Sequence, residues 1–521
     1  MKEIKELKFE ELTVRQKLGM TIVPALHEKA ANDEFVFNMI KERAVGAVWI
    51  QQGGNEVEEQ IKKVREAADY PILIITDAES GIGKYLVGKH NAIGTAGSTK
   101  HAYAFGKAVG VTARKMGYNV VCDPVVDMNA GSMRSLGTDK EKVAELSAAI
   151  AKGMHDGGVL TVAKHYPGGK AISEIDAHMA ESTSADTKEM LLDYAIYPYQ
   201  KLWEAGLLDG VMTRHQRFIN IDDKHPASLS KAVIDIIRDN GYEGFAITDA
   251  LCMLGIRAKF GDVEAKGIAV NAGNDLLLPY SAKNREQFEQ YEEAYNRGLV
   301  DTEALDAAVK RVLAAQHKTM LLPTDTEISD EENATFMNIN KDGVYAKTDE
   351  GVPVTISRDG KHYFIIVAKQ ETDIRGGKID VDTFSNGWHK PERIVKKIEE
   401  LFPNAQYKII HEFPSPGEMF SSLTNSLGCE ELVIMTFTEA LASTGPEFLT
   451  HRIVNLINAM QVTDRISTLI HLGNPYVLGE VPHIKRVIFG GHAIESIETT
   501  LEVLAGEYTA NGVPTYNFKL Q

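Results

Sequence analysis

From the N-terminus to about residue 320, short apolar runs alternate with helical patterns, and this alternation limits the folds open to the chain. The apolar runs are Gly46–Ile50, Ile72–Thr76, Val120–Val126, Leu160–Ala163, Gly210–Thr213, Phe245–Thr248 and Asp275–Leu278. Helical stretches such as Lys140–His155, Leu191–Glu204 and Lys231–Asn240 lie between them. Strands separated by helices pair side by side in parallel, because each return passes through a helix on the face of the sheet. The number of units and the length they occupy predict a (β/α)8 barrel of the TIM type.

The chain has 521 residues, more than one ordinary domain, so a second unit is expected. Residues 1–320 form the predicted barrel, and the polar, acidic stretch 321–347 reads as a linker. Residues 348–521 carry a second α/β pattern. Its strands are Tyr363–Ala368, Tyr407–His411, Glu431–Phe437, Ile466–Leu472 and Arg486–Phe489, and its helices are Pro391–Leu401, Pro446–Met460 and Ala493–Ala505.

The formal net charge of −17 and the lack of a basic block argue against a nucleic-acid partner. No apolar run reaches the roughly 18 residues that span a bilayer, and the charged N-terminus lacks the pattern of a signal peptide. Three widely spaced cysteines, Cys122, Cys252 and Cys429, do not make a disulfide framework. A cytoplasmic protein without a membrane partner is expected. Its histidines are scattered, without clustered His/Cys spacing, so neither a metal nor an organic cofactor is expected.

Polar residues follow most of the apolar runs: Asp77, Asp127, Lys164 with His165, Arg214 with His215, and Asp249. In a barrel, the C-terminal ends of the strands form the active-site face, so these residues point to one shared site. Beyond the fourth run, a loop carries Asp176 and His178, two apart and able to project to the same side. A carboxylate beside an imidazole fixes its tautomer and raises its basicity, as proton transfer requires. Asp249 alone reads equally well as a nucleophile, a metal ligand or a helix N-cap.

Several motifs, in order, resemble glycoside hydrolase family 3. They are LTVRQKLGM near the start, TDAESG at 76–81, DPVVDMN at 123–129, MRSLGTD at 133–139, AKHYPG at 163–168, and VMTRHQ…PASLS leading to GFAITDALCMLGI. The KHxPG…DxH loop resembles the β-N-acetylhexosaminidase branch, bacterial enzymes that remove terminal N-acetylglucosamine from chitin or cell-wall fragments. The resemblance implies a retaining mechanism. In it Asp249 attacks the anomeric carbon, His178 protonates the leaving oxygen and then activates water, and Asp176 orients His178. It also implies that Asp77, Arg134, Lys164, His165, His215 and Met253 bind the sugar, and that the C-terminal region is an α/β sandwich. A carbohydrate is then the small-molecule partner, while the sequence leaves the oligomeric state open.

The loop departs from the family's usual PGHGDT: it reads Pro167-Gly168-Gly169-Lys170-Ala171-Ile172-Ser173-Glu174. Lys170 is expected to favour an anionic substrate. Glu439 is the alternative acid/base, by analogy with the β-glucosidase members. A β-N-acetylglucosaminide phosphorylase, a β-glucosidase and an inactive sugar-binding protein are the remaining alternatives.

Overall fold

The computed structural model describes residues 4–26, 33–53, 56–129, 132–172, 175–368, 371–375, 378–382, 391–438 and 447–515. The chain divides into two compact units. The first comprises Met1–Leu86, Thr99–Asn129 and Asp139–Phe336, and the second Val87–Ser98, Ala130–Thr138 and Met337–Gln521.

In the first unit, six strands run parallel in sequence order: β1 (Ala47–Trp49), β2 (Leu73–Asp77), β3 (Val120–Cys122), β4 (Leu160–Tyr166), β5 (Gly210–Thr213) and β6 (Phe245–Thr248). Two further stretches close the sheet. Ile247 bridges Leu276, Leu277 bridges Ile22, and Ala25 bridges Trp49, all in parallel. The backbone bonds Thr248 N to Leu276 O (3.0 Å), Val23 N to Leu277 O (2.8 Å) and Leu26 N to Trp49 O (2.8 Å) join these staves. Residues 22–25 and 275–278 are thus the first and last of eight staves, and the sheet is a closed barrel. Its interior is packed by Val23, Ala47, Trp49, Leu73, Ile75, Val120, Cys122, Leu160, Val162, Met212, Phe245, Ile247, Leu276 and Leu278, all buried.

The helices around them include α1 (Val57–Ala67), α2 (Thr99–Met116), α3 (Lys140–Gly157), α4 (Tyr197–Glu204), α5 (Lys231–Arg238), α6 (Leu254–Arg257), α7 (Asp262–Asn271) and α8 (Thr302–Met320). Side chains that accept from free N–H groups start several of them. Asp139 receives Lys142 N at 2.8 Å, and Asp301 receives Glu303 N at 2.8 Å. Opposite the strand ends of interest, two buried carboxylates tie staves to helices. Asp209 accepts from His155 Nε2 (2.6 Å), from Thr161 N (2.9 Å) and from Lys318. Asp275 accepts from Arg238 (2.9 Å), Arg311 (2.8 Å) and Ala246 N (2.7 Å).

Three sequence expectations shift. The run Val120–Val126 is a strand only to Cys122, because Asp123-Pro124 breaks the ladder. The stretch Leu191–Glu204 is not one helix: a five-residue π-helical segment, Leu191–Ala195, gives way to α4, which starts with Pro198 in its first turn. The expected linker holds a helix, α9 (Asp330–Asp342), and the start of a strand at Tyr345.

The second unit is built on a six-stranded sheet. Its strands are β7 (Tyr345–Thr348), β8 (His362–Ala368), β9 (Gln406–His411), β10 (Glu431–Phe437), β11 (Ile466–Leu472) and β12 (Arg486–Gly490), in the order β7-β12-β11-β10-β8-β9. Only β7 is antiparallel to its neighbour. Helix α11 (His451–Val462) packs on one face through Ile453, Leu456 and Ile457. Helices α10 (Pro391–Leu401) and α12 (Ile494–Ala505) cover the other through Ile394, Ile398, Ile497 and Leu501. This is the expected α/β sandwich. Among the described residues, no helix is long and apolar enough to cross a membrane.

Candidate active site

The strand ends of the barrel gather the residues that the sequence singled out. Asp77 is the last residue of β2, and Lys164 stands near the end of β4. Lys164 is 1% exposed, and its ammonium lies against the Asp77 carboxylate and 2.7 Å from Glu79. A lysine this deep is stable only when paired, and two carboxylates hold it. Next to it, His165 Nδ1 donates to Asp127 Oδ2 at 2.8 Å. The Arg214 guanidinium lies 3.8 Å from the other Asp127 oxygen and donates to Gly168 O at 3.1 Å.

Asp249 directly follows β6. Its amide donates to Thr213 O at 2.9 Å, and its Oδ1 accepts from Ala250 N at 2.7 Å, which fixes the carboxylate at the strand end. Burial opposes its charge. His215, His165, the Ala250 amide and Lys164 outweigh that and hold the carboxyl below the ordinary carboxylate range. His215 is buried and its ring is fixed at both nitrogens: Nε2–H donates to Ala250 O (3.0 Å) and Nδ1 accepts from Ser228 Oγ (2.7 Å). Desolvation pushes its pKa below the usual imidazole value, although Asp249 pulls the other way. Its two partners are satisfied by the neutral ring. Met253 is buried just beyond, at the start of α6.

The loop after β4 begins at a Gly168-Gly169 turn in which both residues have positive φ, 78° and 93°. At Gly169 a Cβ would also meet Phe218 at 2.8 Å and Asp186 at 2.9 Å, so only glycine fits there. Lys170 N donates to Asp186 Oδ2 (2.7 Å), and the exposed Lys170 ammonium lies 5.5 Å from the centre of the Tyr194 ring. The loop returns through the short strand Ser182–Ser184, which pairs in parallel with Gln216–Phe218. Within it, Asp176 Oδ1 accepts from both His178 Nδ1 (2.7 Å) and His178 N (2.9 Å). A carboxylate only accepts, so the proton sits on Nδ1 and Nε2 is left for proton transfer. The His178 side chain is 49% exposed, as a group that must meet a substrate requires.

The structure therefore brings Asp77 together with Lys164 across the intervening β3, places His165 next to Lys164, sets His215 beside Asp249, and gives His178 its expected carboxylate. Arg134 is exposed and belongs to the residues of the second unit. Glu439 lies outside the described residues, as do Ser173 and Glu174 of the loop. Sequence reasoning missed Glu79 as the second carboxylate on Lys164. Its signal was the spacing: Asp77 and Glu79 sit two apart in TDAESG, as Asp176 and His178 do in the loop.

A parallel barrel with a charged carboxylate at one strand end and a His–Asp pair on a neighbouring loop holds the groups that glycoside cleavage uses. The model described as "Glycosyl hydrolase family 3 N terminal domain" matches residues 6–315, and the chain belongs to this family, making it a glycoside hydrolase. It is similar to "Beta-hexosaminidase" of Tolumonas auensis, 29% identical over 232 residues, which are 42% of this chain and 69% of that protein. For the next two curated relatives, the match spans 47% and 56% of their length. In fold, it resembles a glycoside hydrolase family 3 β-N-acetylglucosaminidase from Paenibacillus sp. str. FPU-7 (TM-score 0.79, 23% identity, 98% of this chain and 100% of that one). It equally resembles "Beta-glucoside phosphorylase BglX" (TM-score 0.81, 21% identity, 98% and 94%).

Proposed function

We propose that the chain is a retaining exo-β-N-acetylglucosaminidase acting on terminal β-linked N-acetylglucosamine of chitin- or cell-wall-derived oligosaccharides. The observation that carries this reading is the Asp176–His178 pair on a loop whose backbone bonds to the turn following Asp249 (Gly255 N to Ala177 O, 3.0 Å). That bond links the proton-transfer group to the segment bearing the nucleophile. The relatives named β-hexosaminidase support the choice of sugar.

In the first half-reaction, an Asp249 oxygen attacks the anomeric carbon as the glycosidic C–O bond breaks. The His178 Nε2 proton passes to the leaving oxygen. In the second, neutral Nε2 takes a proton from water, whose oxygen displaces Asp249 and restores the β-configuration. Asp176 holds the tautomer and stabilises the imidazolium. Lys164, held by Asp77 and Glu79, presents donors to the sugar hydroxyls, and His165, whose Nδ1 is held by Asp127, offers them its Nε2. The expected cytoplasmic location belongs to the same proposal.

A panel of chromogenic β-glycosides of N-acetylglucosamine, N-acetylgalactosamine, glucose and glucuronic acid tests the reading. We expect fastest turnover of N-acetylglucosaminide, with the β-anomer as first product by NMR. Preference for glucoside, or an α-anomer first, would overturn it. Running the panel with and without phosphate separates hydrolysis from phosphorolysis, since only phosphorolysis yields the sugar 1-phosphate.

A further inference from the structure

The general acid sits on a loop, and an acid that protonates a leaving oxygen must be held to a fraction of an ångström. The Asp176–His178 bond fixes the imidazole relative to its own loop, not relative to Asp249. Something else must set the distance between loop and nucleophile.

The residues that follow Asp249 provide that contact. Two backbone bonds cross from α6 to the loop: Gly255 N to Ala177 O at 3.0 Å and Leu254 N to His178 O at 3.4 Å. The loop residues 177 and 178 therefore rest on the start of a helix only five residues beyond the nucleophile. Gly255 permits this approach. A Cβ there would stand 3.0 Å from Ala177 O, 3.4 Å from Ala180 O and 3.5 Å from the His215 Cβ. The first contact is tighter than ordinary packing, so a side chain there requires the dyad segment to give by a few tenths of an ångström.

A second contact fastens the far end of the same loop. Glu181 precedes the Ser182–Ser184 strand, and its side chain is 12% exposed. The same oxygen, Oε2, meets Arg217 Nε at 3.2 Å and the Lys259 ammonium. Lys259 lies two residues past α6, and Arg217 sits on the strand paired with Ser182–Ser184. A carboxylate this buried is stable as a charge only when paired, and two cations face it.

We infer that the segment Leu254–Lys259 is the positioning element of the general acid, with Gly255 as the close-approach contact and Glu181–Lys259 as the latch. Neither Gly255 nor Glu181 touches the reacting atoms; both act through His178. This inference rests on the assignment of His178 as acid/base, and it adds residues that assignment does not use.

The test compares leaving groups. A 2,4-dinitrophenyl aglycone departs without a proton, whereas a disaccharide aglycone needs one. Gly255→Ala is expected to lower kcat/KM for the disaccharide by roughly tenfold, less than the ~10²-fold of a ~1 Å misplacement, and to leave the dinitrophenyl glycoside nearly unchanged. Glu181→Gln and Lys259→Met are expected to show the same split. Their double variant should be about as impaired as the more damaging single variant and no worse, as for two residues acting through one contact. Lys259 is half-exposed, so Lys259→Met carries the test if Gly255→Ala does not fold. Equal losses on both substrates, or no loss in any variant, would overturn the inference. His178→Ala is run alongside. If it too is indifferent to the leaving group, the dyad assignment fails and the positioning role with it. If it shows the split while Gly255→Ala and Lys259→Met do not, only the positioning role is lost.

Discussion

At the scale of single residues, Asp249, the proposed nucleophile, sets the expected pH range of the chemistry. Its carboxyl is held below the ordinary range, so the reactive carboxylate persists to lower pH than a free aspartate, whose pKa is ~3.9. With a dinitrophenyl glycoside, where no acid is needed, kcat/KM should stay level as pH falls towards that value and decline only below it. A decline centred well above it would show that the nucleophile is not the depressed Asp249. Asp249→Ala should abolish turnover while the circular dichroism spectrum is kept. His178→Ala should slow substrates with poor leaving groups by ~10²–10⁴-fold, the usual worth of general acid catalysis. These residues were legible in the sequence because each is a polar residue placed against a strong local pattern: Asp249 at the end of a buried strand, and Asp176 with His178 two apart in a loop. Glu181 and Gly255 were not, since their roles depend on partners 36 and 78 positions away in Arg217 and Ala177.

At the scale of elements, the barrel depends on a few buried charges as well as on its apolar interior. Asp275 joins the last stave to α5 and α8 through Arg238 and Arg311, and it is fully buried. Asp275→Ala leaves two guanidinium groups without their carboxylate. It should lower stability by ~3–5 kcal/mol, the effect of removing one partner from a buried ion pair. Urea unfolding is the measurement; a loss below 1 kcal/mol would show that the triad contributes little. The elements themselves were mostly readable, since buried parallel strands are short, β-branched runs between helices. The stave at residues 22–25 escaped because Pro24 interrupts it and only isolated bridges hold it. The helix α9 was hidden in an acidic stretch whose residues suggest a linker; its start is stabilised by acids in the first turn, Asp330, Glu331 and Glu332.

At the scale of the whole molecule, the two units are not consecutive in the chain. Residues 87–98 and 130–138 leave the barrel sequence and pack with the second unit. There, Gly88 N donates to Asn340 Oδ1 (3.2 Å), Asn91 Nδ2 to Thr515 Oγ1 (3.0 Å) and Val513 N to Thr95 O (2.8 Å). A chain ending at Phe336 would expose the side chains of Ala92, Ile93, Met133 and Leu136, all buried in the full protein. It is expected to be aggregated or to melt well below the full chain, by gel filtration and thermal circular dichroism. A monomer with an unchanged melting temperature would contradict this. A linear reading of the sequence puts the barrel at 1–320, a linker at 321–347 and the second unit at 348–521, because the two inserted segments are too short to carry a pattern of their own. Counting from the segment limits, the chain passes between units at 86/87, 98/99, 129/130, 138/139 and 336/337, five times in all. A gene encoding such a protein cannot exchange its second unit by a single recombination event. Any exchange of the second unit alone must replace all three segments together.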